Sequence, residues 1–442
     1  MRSPAFDMNV FRERRQNLSA RARGSAILIP AHPDMIRNND VHHAYRQDSN
    51  FFYLTGFEEP ESILLIRPGQ TPETILFVRP KDMERETWDG FRYGPEGAER
   101  EFKIDKAYLI SEFDKMIGGL LKPVDRVYYR WNISRDFDEK FLGILREVRM
   151  SQGRTGRGDL PVHDSAELLG ELRVIKSAHD VSLMRKACEI SARAHIEAMK
   201  FTKPGVTERQ VQGVLLGSFY MQGADREGYN SIVASGSAAT TLHYTFNDQV
   251  CKDGDLLLID AGAEAQYYTG DITRTFPVNG KFTAVQKRVY QGVLDLQKAI
   301  IADVRPGNLF KSMQERTIDA LTDFMIELKL LSGSRQHLVE TLAFKKYYPH
   351  GVGHWLGLDV HDAGLHIVKG EPRKLEPGMS FTVEPGIYIP ADDMSAPAEL
   401  RGIGIRIEDN IVVTANGCEN LTALAPKEVK DLEDIVGTRS NA

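Results

Sequence analysis

Four acids in this chain stand where a carboxylate is costly to bury. Asp260 closes the apolar run Leu256-Leu257-Leu258-Ile259, which reads as a buried strand. Asp271 opens a second strand, Ile272 to Phe276, and a hairpin would set the two acids side by side. Glu384 ends Phe381-Thr382-Val383. Glu408 follows Gly404 to Ile407, where strand alternation puts Ile405 and Ile407 on one face and Arg406 and Glu408 on the other. Taken singly, each acid is as readily a strand-end carboxylate in a salt bridge. Taken together in a core they repel one another, and divalent cations are the natural counter-charge.

The histidines point the same way. His350, His354 and His361 fall within twelve residues, three of the twelve histidines in the chain. Gly351, Gly353 and Gly357 argue against a helix there, so His350 and His354 need not form a helical metal pair. The glycine pattern is not a dinucleotide fingerprint. His243 stands just before the first acidic strand. His32, His163, His195 and His337 are isolated, and a lone histidine reads as structural.

These groups need elements to hold them. Residues 10–22 read as a first helix, although Arg12, Arg14 and Arg15 resemble a transit peptide. Short apolar runs at 25–30, 62–68, 74–79 and 126–130 read as strands. Phe137, Phe141, Leu142, Leu145 and Val148 have helical spacing, and residues 151–161 read as a linker. The tripeptide Arg157-Gly158-Asp159 within it is read as chance. Ser177 with Asp180, and Thr207 with Gln210, have capping-box spacing and predict two helix starts. A domain boundary is placed near residue 175, giving domains 1–175 and 176–442. Beyond it, Gly254 to Gly262 parallels Gly378 to Gly386: a glycine, a strand, an acid, a glycine. That repeat predicts a pseudo-twofold domain with a site at its centre.

Composition bounds the function. The 442 residues suit two or three domains. The net charge of −6 disfavours a dedicated nucleic-acid or membrane-surface binder. No apolar run approaches the roughly 18 residues of a spanning helix. Cys188, Cys251 and Cys418 are far apart and odd in number, which suits a reducing compartment, so a cytoplasmic location is expected.

Asp260, Asp271, His354, Glu384 and Glu408 resemble the five-ligand pattern of the creatinase/methionine aminopeptidase family, the pita-bread metallohydrolases. The strings around His243, His354 and Glu384 are similar to its aminopeptidase P branch, as are Tyr45 to Phe57 and the Trp88 loop. The resemblance implies an α/β (α+β) architecture: a mixed α/β creatinase-like amino-terminal domain, then a pseudo-twofold pita-bread catalytic domain. It implies that Asp271 and Glu408 bridge two divalent ions, that Asp260 completes one, and that His354 and Glu384 complete the other. Four carboxylates and an imidazole make an oxygen-rich site without thiolate, so Mn²⁺ is the expected ion. Two divalent ions match the four carboxylates in charge, and a bridging hydroxide would make the sum −1, leaving room for Arg406 as a supporting cation.

The implied reaction is hydrolysis of peptides with proline second, releasing the amino-terminal residue. Glu384 is the expected proton shuttle, His243 and His361 polarise the carbonyl, and His350 supports them. Asp40 and Trp88 are expected to form the wall that meets the free amine, donated in one version by a neighbouring subunit of a homodimer or homotetramer. A proline dipeptidase shares the fold and the ligands and is the alternative. A non-enzymatic peptide-binding module on this fold loses ligands, and all are present here. Methionine aminopeptidase lacks an amino-terminal domain of this kind.

Overall fold

The computed structural model describes residues 6–156 and 158–438, so Arg157 of the Arg157-Gly158-Asp159 tripeptide lies outside the described residues. The chain divides into two compact units, Met1–Leu172 and Arg173–Ala442.

In the first unit, α1 (Met8–Arg21) starts where the Asp7 carboxylate accepts the Asn9 N–H. Two of its arginines, Arg14 and Arg15, are buried and structural. Arg14 donates to Tyr53 O at 3.1 Å and Arg15 to Leu54 O at 2.7 Å. The strands are β1 (Ser25–Pro30), β2 (Ile63–Ile66), β3 (Thr74–Val78), β4 (Lys106–Leu109), β5 (Arg126–Tyr129) and β6 (Val162–Asp164). They form one mixed sheet in the order β4-β3-β2-β1-β5-β6. β1 runs antiparallel to β2, with Ile27 opposite Ile66, and parallel to β5, with Ala26 opposite Val127. β4 and β6 escape sequence reading because they are short and part-exposed; each is recruited by parallel pairing to a neighbour. Helices α2 (Phe113–Leu121) and α3 (Arg135–Gln152) cover one face, with Phe113, Ile117, Phe141 and Val148 against Leu28, Leu65 and Phe77. Of the residues at helical spacing in α3, Leu142 is 55% exposed, while Ile144 is buried. Phe141, Ile144 and Val148 stack at spacings of three and four, and Leu142 lies one step round the helix.

The second unit opens on α4 (Ala178–Phe201) and α5 (Glu208–Met221). Both predicted capping boxes form. Ser177 Oγ accepts from the Asp180 N–H while the Asp180 carboxylate accepts from the Ser177 N–H, and Thr207 and Gln210 do likewise. The strands that matter for the site are β7 (Ile232–Ser235), β8 (Leu256–Ala261), β9 (Ile272–Pro277), β10 (Ser380–Val383), β11 (Gly386–Tyr388), β12 (Gly404–Arg406), β13 (Asp409–Val413) and β14 (Cys418–Asn420). They make antiparallel sheets β7-β8-β9 and β10-β13-β14 and the ladder β11-β12.

The two repeats take the same local form. Gly254 and Gly378 both adopt positive φ, 84° and 90°, which glycine reaches without strain. Each then leads into a strand with an acid at its end, Asp260 within β8 and Glu384 just after β10. The antiparallel partner begins at that same end, and it too is preceded by an acid: Asp271 before β9 and Glu408 before β13. The register places Asp260 opposite Thr273 and Val383 opposite Asp409. The end of one strand and the start of its partner coincide in any antiparallel pair. The two pairs thereby deliver four carboxylates, and the sheets join where the Glu408 N–H donates to Thr273 O at 3.0 Å.

Beneath the acids lies a buried polar network. Arg274 donates to Asp409 at 2.7 Å, to Ala425 O at 3.0 Å and to Pro426 O at 3.1 Å, and the Arg274 and Asp409 side chains are fully buried. Gln297 and Thr422 also donate to Asp409, each at 2.9 Å, and Lys427 pairs with it. Burial alone would raise the Asp409 carboxyl; the charges of Arg274 and Lys427 outweigh it and hold the group well below the usual carboxylate range. Removing one partner of such a pair strands the other charge. Arg274→Ala is therefore expected to lower unfolding free energy by about 3–5 kcal/mol, read by chemical denaturation.

His195 on α4 is fully buried, and its Nε2 lies 3.0 Å from Ala261 O at the end of β8. A carbonyl only accepts, so Nε2 carries the proton, and Nδ1 has no partner in its apolar surroundings. Desolvation pushes its pKa down to about 4. Between about 4 and about 6.5 the unfolded chain binds a proton that the native one refuses, so stability falls as pH falls across that window. His195→Gln keeps the donor and removes the titration. The stability difference between pH 7 and pH 4 is expected to shrink by about 3 kcal/mol in that variant, measured by urea unfolding at both values.

Candidate metal centre

Asp260, Asp271, Glu384, Glu408, His243, His350, His354, His361 and Arg406 all line one cavity of about 470 Å³. At its floor, ligand atoms of Asp271, His354 and Glu408 lie within 4.8 Å of one another. Asp260 and Glu384 border this triad. The Tyr229 hydroxyl is 2.6 Å from Asp260 Oδ1 and also reaches Asp271 Oδ1, with one proton to give to two carboxylates. Glu384 Oε1 is 3.5 Å from His354 Nε2.

The orientation of His354 tests whether a metal fits. Its Nδ1 is 3.1 Å from Trp355 O, and only an N–H can meet a carbonyl there. Nε2 then points its lone pair at Asp271 Oδ2, 3.4 Å away, and at Glu384 Oε1. A bare lone pair facing two carboxylate oxygens needs a cation or a proton between them. Without a metal the proton wins: burial lowers the imidazole, but the Asp271 contact and the charges of Asp271 and Glu384 override it and raise the pKa to about 9. The carboxylates show the same want. Desolvation raises Asp271, raises Glu408 far more, and lifts Glu384 to about 7 despite His354 and Arg406. Four oxygen-donor acids and one correctly turned imidazole fit hard divalent ions.

Supporting groups fix each acid. Arg406 pairs with Asp260 at 2.6 Å, and its Nε donates to Thr273 Oγ1 at 3.0 Å. Thr273 in turn donates to Glu408 Oε2 at 2.6 Å. Thr382 Oγ1 accepts the His354 N–H at 3.1 Å and donates to Glu384 Oε1 at 3.1 Å. Asn410 holds the Asp271 backbone, taking its N–H at 2.8 Å and donating to its carbonyl.

The other cavity histidines, His243, His350 and His361, sit on loops. No helix forms over 350–362, as the glycines predicted. His350 Nδ1 donates to Gly351 O, which leaves Nε2 to accept from the Tyr388 hydroxyl at 2.7 Å. Tyr388 accepts in turn from Arg406 at 3.0 Å. Desolvation lowers His350 to about 4, consistent with this neutral tautomer. His361 packs edge-on against His354 with ring centroids 4.4 Å apart. Asp40 and Trp88 are not among the cavity-lining residues. Both belong to the first unit and are exposed, Trp88 to 81%, so this tryptophan is not packed in its unit's core. Sequence reading missed Tyr229, Thr273, Thr382, Tyr388 and Asn410. Thr273 and Thr382 lie two residues from an acid on the same strand face, a signal that period-2 alternation offered; Tyr229 and Asn410 left none.

Residues 182–415 match the family described as metallopeptidase family M24, and residues 11–128 match the aminopeptidase P amino-terminal domain. The Xaa-Pro aminopeptidase of Haemophilus influenzae is 42% identical over 428 residues, 96% of each chain. The human Xaa-Pro aminopeptidase 3 is 37% identical over 94% of this chain and 81% of its own length. The structure of the Pseudomonas aeruginosa aminopeptidase PepP superposes with a TM-score of 0.93 at 44% identity, covering 98% of both chains. A zinc-substituted Escherichia coli aminopeptidase P in complex with product superposes with a TM-score of 0.93 at 38% identity, covering 99% of this chain and all of that one.

If the floor is a metal site, Asp271→Ala removes an oxygen donor that no neighbour replaces. The folded variant is expected to lose tight Mn²⁺ binding in calorimetric titration. Wild-type stoichiometry and affinity in that variant would show that the acids meet for another reason.

Proposed function

The chain belongs to metallopeptidase family M24, and from that premise we propose that it is an Xaa-Pro aminopeptidase, releasing the first residue of peptides whose second is proline. The observation that carries this reading is the meeting of five metal-ligand candidates, three further histidines and Arg406 around one cavity. The metal candidates are Asp260, Asp271, His354, Glu384 and Glu408, which would hold two divalent ions between them. Mn²⁺ fits this oxygen-rich set. Two bound ions would supply Lewis acidity, acidifying a water and drawing charge from the scissile carbonyl.

The rest falls to the chain's own side chains. The bond before proline is a tertiary amide without N–H, so its nitrogen must be protonated as it leaves. Glu384, whose carboxyl burial raises toward neutrality, takes the proton from the attacking water and returns it to that nitrogen. His243 and His361 donate N–H groups to the carbonyl oxygen as negative charge grows there. His350, held by Tyr388, backs this pair. Arg406 offsets the charge of Asp260 and keeps its carboxylate turned to the floor.

Asp40 and Trp88 of the amino-terminal domain, residues 1–175, are the candidates for the wall that meets the free amine, donated by a neighbouring subunit. The exposure of Trp88, Met35, Ile36 and Met83 supports a homodimer or homotetramer in which a second copy covers this surface. Among the described residues no helix is long and apolar enough to cross a membrane. A cytoplasmic setting agrees with the three cysteines, which form no disulfide.

A rate series on Gly-Pro, Gly-Pro-Ala and acetyl-Gly-Pro-Ala tests the assignment. Gly-Pro-Ala is expected to be cut well, releasing glycine alone, and acetylation is expected to abolish turnover by removing the ammonium. A dipeptide preference instead marks a proline dipeptidase, whose carboxylate-gripping cation would be left unpaired by a longer peptide at about 1–3 kcal/mol. Good turnover of the acetylated peptide removes the amine wall.

A further inference from the structure

A second buried ion cluster lies behind the loop that carries His361. Arg173 Nη2 donates to Asp359 Oδ2 at 2.6 Å and pairs with Asp362 Oδ1. Lys176 Nζ donates to Asp362 Oδ2 at 2.9 Å. The side chains of Arg173, Lys176 and Asp362 are 3%, 2% and 1% exposed, while Asp359 is part-exposed. Two cations face two carboxylates, so the cluster is neutral and each buried charge is matched. Neither Arg173 nor Lys176 lies within the residues that match the two families, 11–128 and 182–415.

The placement of the two acids is the informative feature. Asp359 and Asp362 both end on one guanidinium, so the backbone between them must turn away from it. The residues between are Val360 and His361, and both line the catalytic cavity. Backbone bonds close the same loop: the Asp362 N–H donates to Trp355 O at 2.9 Å and the Gly357 N–H to Asp359 O at 3.1 Å. Gly357 makes room for the cluster, since a Cβ there would lie 2.3 Å from Asp362 Oδ2 and 3.0 Å from Lys176 Cε.

Resting on the assignment of His361 as a carbonyl-polarising residue, we propose that Arg173 and Lys176 act as positioning residues, clamping Asp359 and Asp362 so that His361 is aimed into the cavity beside His354. A lysine at 173 keeps the charge but lacks the planar fork that spans two carboxylates. Arg173→Lys should therefore loosen the loop without emptying the cluster of charge. A misplacement of about 1 Å at a reacting centre costs on the order of 10²-fold in rate.

The test is a double-mutant cycle in the full chain loaded with Mn²⁺, using Gly-Pro-Ala. Arg173→Lys, His361→Ala and the double variant are compared, with hydrogen exchange of residues 355–362 measured in the metal-free proteins. Arg173→Lys is expected to lower kcat about 10- to 100-fold with KM little changed, and to speed exchange in that segment. In the His361→Ala background the same substitution should cost no further kcat. Equal losses in both backgrounds would assign the cluster to stability alone and overturn the clamp while leaving His361 catalytic. Full kcat in Arg173→Lys overturns it too. Unchanged kcat in His361→Ala removes the polarising role, and the clamp with it. Asp359→Asn, at the part-exposed end of the cluster, carries the same comparison should Arg173→Lys fail to fold.

Discussion

Like charges that must share a dry space govern this molecule. Asp260, Asp271, Glu384 and Glu408 meet at the floor of one cavity, and burial pushes Asp271, Glu384 and Glu408 toward their neutral forms. Two carboxylates about 4 Å apart repel by about 4 kcal/mol at an effective dielectric of 20. A fold that holds four must hold them rigidly, or they drift apart. Rigidity comes from placing each acid at a strand terminus and fixing its oxygens with neighbours that donate: Tyr229, Thr273, Thr382 and Arg406. The repulsion that remains is what gives the site its appetite for divalent cations.

Antiparallel pairing solves the delivery problem twice with the same device. In each repeat a strand runs to an acid, the chain makes an excursion, and the partner strand returns beginning next to a second acid. The excursions differ greatly, a small sheet in the first repeat and the β11-β12 ladder in the second. Their difference does not matter to the acids, because register and not connection fixes where a strand starts relative to its partner. The buried Arg274 and Asp409 then tie the second strand of one repeat to the second strand of the other.

Much of the site was legible because its residues are anomalous in their own segments. An acid at the end of an apolar strand and a histidine among glycines contradict local expectation, and such contradictions mark function. Strand alternation alone likewise sorts Ile405 and Ile407, which are core, from Arg406 and Glu408, which face the cavity. What stayed hidden has a common cause. Tyr229 and Asn410 are unremarkable in sequence and become important only through partners 31 to 139 positions away. β4 and β6 have no pattern of their own and exist by pairing. Helical spacing alone does not separate Leu142 from Ile144; the packed sheet buries Ile144 and leaves Leu142 exposed.

The metal candidates and the loop-borne histidines pose different mechanical problems. The acids sit at strand ends, where backbone pairing to the neighbouring strand limits their motion. His243 and His361 sit on loops, which by default are the least rigid parts of a domain. Each loop has a polar anchor one residue from its histidine, a hydrogen bond to a buried carboxylate in one case and an ion cluster in the other. Tyr244, next to His243, gives its hydroxyl to the fully buried Glu208 at 2.9 Å, and Glu208 also takes the Gln249 and Ser235 N–H groups. Asp362, next to His361, is gripped by Arg173 and Lys176. Buried charges of this kind add little net stability over apolar packing. An ion pair has a directed geometry that a leucine contact lacks, and under the clamp proposed above that direction passes from Asp362 to the adjacent His361. Under the proposed mechanism, in which His243 and His361 donate to one carbonyl oxygen, directed polar anchors beside both loops aim them more narrowly than apolar packing alone.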